Sequence, residues 1–119
     1  MQADRVLIIG DGQMALVLAD ALAFRAVPTT VWSPFPDDAR TLQTTRESPR
    51  LPGFRLADAV QVTADDATTF TNTTLVISAI PTQYVRQVWA RLRPALNATA
   101  DRQDPSPPIV SVTKGCEIG

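Results

Sequence analysis

RVLIIGDGQMA, residues 5–15, is the stretch of this sequence that decides its fold. Four consecutive apolar residues, Val6 to Ile9, indicate a strand that is buried on both faces. The strand leads into the pattern G-x-G-x-x-A at Gly10, Gly12 and Ala15, and an apolar helical pattern follows directly. A strand, a glycine turn and a helix in this order are typical of a dinucleotide-binding domain.

Each position of this pattern has a physical role. Gly10 permits a sharp bend, Gly12 leaves no side chain between the backbone and a bound pyrophosphate, and Ala15 lets the helix pack closely on the strand. The start of the helix carries unpaired N–H groups and about half a positive charge, which stabilises a diphosphate. The pattern alone also fits a turn that serves packing only. Its place between the first strand and a helix, with a second strand about twenty residues later, favours nucleotide binding.

The composition excludes several classes of partner. The 119 residues are 45% hydrophobic and 19% charged with a net charge of −1, so no basic surface attracts nucleic acid or an anionic membrane. Cys116 is the single cysteine and histidine is absent, which leaves neither a disulfide framework nor a metal cluster. No apolar run approaches the roughly 18 residues of a membrane span, and no export signal is recognised. We therefore predict one cytoplasmic domain over residues 1–119 that binds no metal.

Strands and helices are predicted to alternate along the rest of the chain. Further strands are predicted at Thr29–Trp32, Ala59–Thr63, Thr74–Ile80 and Ile109–Thr113. Helices are predicted at Met14–Phe24, at Asp37–Thr45, from Asp65-Asp66 to Phe70 and from Thr82 onward, with polar loops at Glu47–Gly53 and Asn97–Pro108. This alternation predicts an α/β fold of the Rossmann type, a doubly wound parallel sheet with strand order 3-2-1-4-5.

The carboxyl ends of the strands form the expected binding edge. The second strand ends in Ser33-Pro34-Phe35, which offers neither an acid for a ribose 2′-hydroxyl nor an arginine for a 2′-phosphate. The choice between NAD and NADP therefore stays open. Phe35 suits either an adenine face or an exposed position in a proline-rich turn. Pro81 and Lys114 follow the fourth and fifth strands at the same edge.

Three arginines of the last helix fall opposite its apolar positions. Val85, Val88, Trp89 and Leu92 follow helical spacing. The arginines are Arg86, Arg91 and Arg93. We interpret them as a solvated face rather than as a phosphate site.

Several segments together resemble one known family. They are, in chain order, GDGQMA, TTVW, TRESPRLPG, ISAIPTQYVR and VSVTKG. The sequence is similar over essentially its whole length to the N-terminal domain of NAD(P)-dependent glycerol-3-phosphate dehydrogenase. The resemblance implies reversible hydride transfer between NAD(P)H and dihydroxyacetone phosphate, giving sn-glycerol 3-phosphate for phospholipid biosynthesis. It also implies a helical second domain that completes the substrate site and supplies a second lysine as general acid/base, and a homodimer for the full-length enzyme. The 119 residues alone are then expected to bind cofactor but to be essentially inactive.

The resemblance places functional roles on particular residues. The expected cofactor-binding residues are Gly10, Asp11, Gly12, Gln13, Met14, Ala15, Trp32, Ser33, Pro34, Phe35, Pro81 and Lys114. Lys114 is also the expected catalytic residue, because its ammonium group would hold the substrate phosphate or polarise the reacting oxygen.

The chain also departs from the family pattern. Ala15 replaces a usual glycine, and Gln13 and Met14 replace a small polar and an aromatic residue. Pro34 and Phe35 stand where many NADPH-using bacterial members carry basic residues. A tyrosine that the family has between Arg50 and Leu51 is missing.

Other functions remain open at this point. One alternative is a related dehydrogenase for 3-hydroxy acids or ketopantoate, although the Thr-Lys-Gly and Leu-Pro-Gly segments favour glycerol phosphate. A second is a free-standing module that senses NAD(H) without catalysis, which the residues Gln13, Met14 and Pro34 permit. A third is a degenerate domain that binds nothing.

Overall fold

The computed structural model describes residues 5–49, 51–66, 70, 72–102 and 108–112. The strands are β1 (Val6–Ile9), β2 (Thr29–Trp32), β3 (Gln61–Thr63), β4 (Leu75–Ser78) and β5 (Ile109–Ser111). The α-helices are α1 (Gln13–Phe24), α2 (Pro36–Thr45) and α3 (Val85–Arg102), and a short 3-10 turn at Thr82–Tyr84 precedes α3. All neighbouring strands are parallel, in the order β3-β2-β1-β4-β5. The predicted fold class and strand order are confirmed.

Strand β1 lies at the centre of the sheet. Val6 pairs with Thr29 of β2 on one side and with Leu75 of β4 on the other. All of β1 is buried, because helices cover both faces of a doubly wound sheet. This double coverage explains why β1 is continuously apolar rather than alternating.

Two hydrophobic clusters form the core, one on each face of the sheet. Val6 and Ile8 of β1 pack with residues of α1 and α2. Leu7 and Ile9 point to the opposite face and pack with residues of α3, since successive side chains of a strand alternate. Trp32 and Phe70 are the largest fully buried side chains, and both belong to the cluster beneath α3.

The helix α3 is longer than the sequence predicts. A loop was expected from Asn97, but the helix continues through Pro94 to Arg102, so that part of the prediction is wrong. The residues after Pro94 include several alanines, the strongest helix former, and Leu96 packs against the cluster beneath α3. Helix propensity and packing together outweigh the hydrogen bond that Pro94 removes.

Smaller differences concern the ends of elements. Strands β3 and β4 are shorter than expected, since β3 begins at Gln61 and β4 ends at Ser78. The predicted short helix that ends at Phe70 falls mainly on residues 67–69, which lie outside the described residues.

Strand β5 forms one edge of the sheet and is exposed along its length. Ile109 and Val110 keep 45% and 47% of their surface exposed. Among the helices of the described ranges, none combines the length and the apolar character needed to cross a membrane.

Candidate functional site

The glycine turn after β1 passes very close to the segment after β4. Gly10 has a φ of 129°, and a Cβ atom added there would lie 2.7 Å from the backbone oxygen of Ala79. The Gly10 N–H donates to the carbonyl of Trp32 at 2.8 Å, which ties the turn to β2 as well. Only glycine fits a position with this backbone conformation and this close approach.

Gly12 has the opposite environment. It is the N-cap of α1, and a Cβ atom added to it would meet nothing within 4 Å. Among the described residues, no side chain caps this helix end, and the first turn carries no acidic residue. Ala15, one turn later, is fully buried against the sheet. The open space at Gly12 and the positive end of α1 together fit a diphosphate group.

A carboxylate from the glycine turn lies beside the end of β2. The Ser33 hydroxyl donates to the Asp11 carboxylate at 2.8 Å, and the Phe35 N–H donates to the Ser33 oxygen at 3.2 Å. Asp11 is only 8% exposed and Ser33 is fully buried. The register of β1 on β2 explains this contact, because Ile9 pairs with Trp32 and the next residues of both strands leave the sheet together.

A cavity of about 140 Å³ opens next to this pair. It lies between the glycine turn, the first turns of α2 and the loop after α2. Three of the residues that line it, Asp11, Asp38 and Glu47, carry carboxylates. The cavity therefore lies at the binding edge, beside the end of β2.

The loop after α2 is held by Arg46. This residue ends α2 in the left-handed conformation with a φ of 61°. Its guanidinium group donates to the carbonyls of Val60 at 2.6 Å and Ala57 at 3.2 Å. Arg46 thus holds the loop after α2 in place, and this loop contributes Glu47 to the wall of the cavity.

Trp32 lies inside the core beneath the binding edge. Its side chain is fully buried, and its indole N–H donates to Asp66 at 3.1 Å. The guanidinium carbon of Arg91 lies 5.1 Å from the centre of a Trp32 ring. Trp32 is therefore a support beneath the edge, and its side chain is not open to a ligand in this structure.

Arg91 connects three separate segments at this edge. Its Nε donates to Asp66 at 2.6 Å and its Nη1 donates to the Pro34 carbonyl at 2.8 Å. Arg91 is exposed, as are Arg86 and Arg93, which agrees with the interpretation of a solvated face, but Arg91 also makes these contacts across the edge. Arg91 lies three residues after the buried Val88, so it falls beside the apolar stripe of α3. This spacing is the one feature of the sequence that indicates contacts between Arg91 and the rest of the domain.

The remaining expected site residues lie at different depths. Gln13 is exposed, Met14 and Pro34 are half-buried, and Phe35 is 54% exposed. Pro81 is exposed and directly precedes the 3-10 turn after β4. Lys114 lies outside the described residues.

Comparison with known proteins gives a consistent result. A family model described as "NAD-dependent glycerol-3-phosphate dehydrogenase N-terminus" matches residues 5–119. A glycerol-3-phosphate dehydrogenase (NAD(P)+) of Geobacter sp. strain M21 is 32% identical over 117 residues, which are 98% of this chain and 33% of the relative. A protein of the same name from Nocardia farcinica is 33% identical over 116 residues, 97% of this chain and 34% of the relative. The chain thus spans about a third of the length of these curated relatives.

A solved structure has the same fold. The glycerol-3-phosphate dehydrogenase of Coxiella burnetii superposes with a TM-score of 0.78 and 20% sequence identity, covering 93% of this chain and 32% of that chain. At this identity the likeness shows the fold.

Proposed function

This chain belongs to the family of the N-terminal domains of NAD-dependent glycerol-3-phosphate dehydrogenases, and we propose on that premise that it binds a nicotinamide dinucleotide for the interconversion of dihydroxyacetone phosphate and sn-glycerol 3-phosphate. The observation that carries the proposal is the contrast between the two glycines of the turn. Gly10 is closed in by Ala79, whereas Gly12 faces open space at the start of α1. A turn that served packing alone would not need a glycine at the open position.

Different residues of this chain would bind different parts of the cofactor. Gly12 and the backbone N–H groups at the start of α1 would bind the diphosphate, because they combine donors with the positive end of the helix dipole. Ser33, Pro34 and Phe35 would lie along the adenosine end, since they follow β2. Pro81 would lie at the nicotinamide end, after β4.

When bound, the nicotinamide ring supplies or accepts the hydride, and the protein contributes orientation and charge. We propose that Lys114 holds the substrate phosphate or polarises the reacting oxygen, as its match to the family lysine implies. The family resemblance implies that a second domain completes the substrate site and supplies a further acid/base lysine, and this chain matches only about a third of the relative's length. The chain by itself is therefore proposed to bind cofactor and to be essentially inactive.

Two broader proposals concern the full-length enzyme. The full-length enzyme is proposed to act in the cytoplasm and to assemble as a homodimer. Sedimentation of the full-length enzyme would test the second, and a monomer at micromolar concentration would contradict it.

Titration of this chain with NADH tests the central proposal. Energy transfer from the two tryptophans to the reduced nicotinamide gives the binding signal, and calorimetry gives an independent dissociation constant. We expect saturable binding and no oxidation of NADH when dihydroxyacetone phosphate is added.

Gly12→Asp is the matched variant. It places a carboxylate in the open space at the start of α1, and aspartate is a favourable N-cap, so the fold should be retained. We expect at least a tenfold loss of NADH affinity, because like charges would meet at the diphosphate. Unchanged affinity in a folded Gly12→Asp variant would contradict the proposal, as would the absence of saturation by the unaltered chain at millimolar NADH.

A further inference from the structure

We propose that Arg91 is a positioning residue for cofactor binding, because it holds the loop after β2 in the shape that receives the adenosine end of the dinucleotide. This loop comprises Ser33, Pro34 and Phe35, and Arg91 reaches it from α3, 57 positions later in the chain. The inference rests on the proposed function and deepens it, since it explains how the adenosine end of the site keeps its shape. Arg91 acts through Pro34 and is assigned no contact with the cofactor.

Pro34 has one backbone group by which it can be held. Proline lacks an N–H, so its carbonyl oxygen is the single polar atom of the residue. Nη1 of Arg91 donates to this oxygen at 2.8 Å. The proline ring already fixes φ, and a bond to the carbonyl fixes the orientation of the next peptide group, which depends on ψ. The bond from Arg91 therefore removes the remaining backbone freedom of Pro34.

The residues on either side of Pro34 are held by other bonds. The Ser33 N–H donates to the carbonyl of Thr63 at 2.9 Å, which continues the pairing of β2 with β3. The Phe35 carbonyl accepts from the N–H of Ala39 at 3.0 Å, in the first turn of α2. Phe35 is also confined to extended conformations because a proline follows it, and its φ of −116° and ψ of 113° agree. The bond to the Pro34 carbonyl thus completes a fixed path from β2 into α2.

Arg91 can hold this path because its own direction is fixed. Its Nε donates to Oδ2 of Asp66 at 2.6 Å, and Oδ1 of Asp66 accepts from the Trp32 indole N–H at 3.1 Å. The guanidinium carbon also lies 5.1 Å from the centre of a Trp32 ring, in a cation–π contact. Trp32 is fully buried, so the network is anchored in the core. The rigid guanidinium fork then directs Nη1 toward the Pro34 carbonyl.

The exposure of this network favours a role in positioning over a role in stability. The side chains of Arg91 and Asp66 are 40% and 33% exposed, and ion pairs at such sites contribute only modestly to folding. A loop that is ordered before the ligand arrives does not have to be ordered during binding, so its affinity is higher. We therefore expect the loss of Arg91 to appear mainly as a loss of cofactor affinity.

Calorimetric titration with NADH tests the inference. Arg91→Ala removes the guanidinium group and places the strongest helix former in α3, so the fold should be retained, and circular dichroism establishes this. An apparent dissociation constant rises only by the reciprocal of the competent fraction, so lower stability alone does not change it while nearly all molecules are folded. We expect Arg91→Ala to bind NADH about five- to tenfold more weakly.

Two further variants separate positioning from charge. Arg86→Ala removes the same charge from an exposed position of α3, and we expect it to change NADH affinity by less than about twofold, because salt screens an exposed charge. Arg91→Lys keeps the charge, but an ammonium group does not reproduce the fork that binds Asp66 and the Pro34 carbonyl together. We expect this variant to bind NADH about threefold more weakly or worse. If Arg91→Ala does not fold, Arg91→Lys provides the test with this expectation.

ADP-ribose locates the effect within the cofactor. It carries the adenosine and the diphosphate but no nicotinamide, and competition with NADH gives its dissociation constant. Because Arg91 holds the adenosine end of the site, we expect Arg91→Ala to weaken ADP-ribose by the same factor as NADH.

The outcomes separate this inference from the proposed function. Four results would each overturn the inference while NADH binding upheld the proposed function. They are unchanged NADH affinity in folded Arg91→Ala, full affinity in Arg91→Lys, an equal loss in Arg86→Ala, and a loss for NADH that is absent for ADP-ribose. Failure of NADH to saturate the unaltered chain would overturn the proposed function and this inference with it.

Discussion

Gly10→Ala is expected to destabilise the fold by about 2–5 kcal/mol. The new Cβ atom would lie 2.7 Å from the Ala79 oxygen and 3.2 Å from the Ala79 carbonyl carbon, and both are backbone atoms. A backbone group cannot rotate away as a flexible side chain can. The Ala79 N–H also donates to Ile9 at 2.9 Å, so relief of the overlap would disturb the pairing of β1 with β4.

The magnitude follows from three contributions. A non-glycine residue held at a φ such as 129° costs about 1–3 kcal/mol. Overpacking against a fixed neighbour costs typically about 1–3 kcal/mol. Alanine also reduces the conformational entropy of the unfolded chain, which stabilises the folded state by about 0.4–1 kcal/mol. For a domain of this size each kcal/mol corresponds to roughly 4 °C in Tm, so we expect a decrease of about 8–20 °C.

Thermal unfolding followed by tryptophan fluorescence would measure this effect, because Trp32 is fully buried and becomes exposed on unfolding. Gly12→Ala is the matched control. Its Cβ atom meets nothing and its φ of −80° suits alanine, so only the N-cap preference of about 1 kcal/mol is lost. We expect this control to lower Tm by less than about 5 °C and instead to weaken NADH binding.

The relative stabilities of the Gly10→Ala and Gly12→Ala variants test the different roles of the two glycines. A Gly10→Ala variant that melts within about 3 °C of the unaltered chain would refute the close approach of the turn to Ala79. A Gly12→Ala variant that is the less stable of the two would refute the assignment of packing to Gly10 and of binding to Gly12.

Three further predictions concern residues that support the binding edge or the sheet. Arg91→Ala removes the bonds to Asp66 and Pro34 and should cost about 1–2 kcal/mol in urea unfolding, whereas the exposed Arg86→Ala should change stability by less than about 0.5 kcal/mol; equal effects would contradict the role of Arg91. Arg46→Ala should cost about 1–3 kcal/mol because it loses two carbonyl contacts, and Arg46→Gly should be milder because glycine tolerates a φ of 61°. Val110→Lys, on the exposed edge strand β5, should leave Tm nearly unchanged because the Val110 side chain is 47% exposed; a decrease in Tm of more than about 5 °C would contradict this exposure.

The order of the strands was predictable because the local pattern of apolar residues and turn residues identifies each strand in the sequence. The apolar runs at β1 and β4 are each ended by a glycine or a proline, and helical patterns lie between them. Parallel strands connected through helices require right-handed crossovers, which restricts the possible strand orders. Gly10 and Gly12 were predictable for the same reason, since the turn must follow β1 directly.

The contacts across the edge were not predictable in the same way. The bond between Asp11 and Ser33 depends on the register of β1 and β2, and the bonds of Arg91 depend on where α3 crosses the sheet. Neither the register nor the crossing point is encoded in the spacing of apolar residues. The continuation of α3 past Pro94 was missed because a polar, proline-containing stretch resembles a loop until its packing partners are known.

The central position of β1 sets the order in which this chain can assemble. Its pairing with β2 closes a short segment through α1, whereas its pairing with β4 joins residues such as Arg5 and Thr74, which are 69 positions apart. Closing the longer segment costs about 1 kcal/mol more in chain entropy, so we expect β1, α1 and β2 to form first and β4 to dock later. Gly10 and Ala79 lie close together where β4 docks on β1, which is the later of these two steps. The chain therefore acquires a competent nucleotide site only when its two halves have joined, and a partly folded molecule would not compete for cofactor.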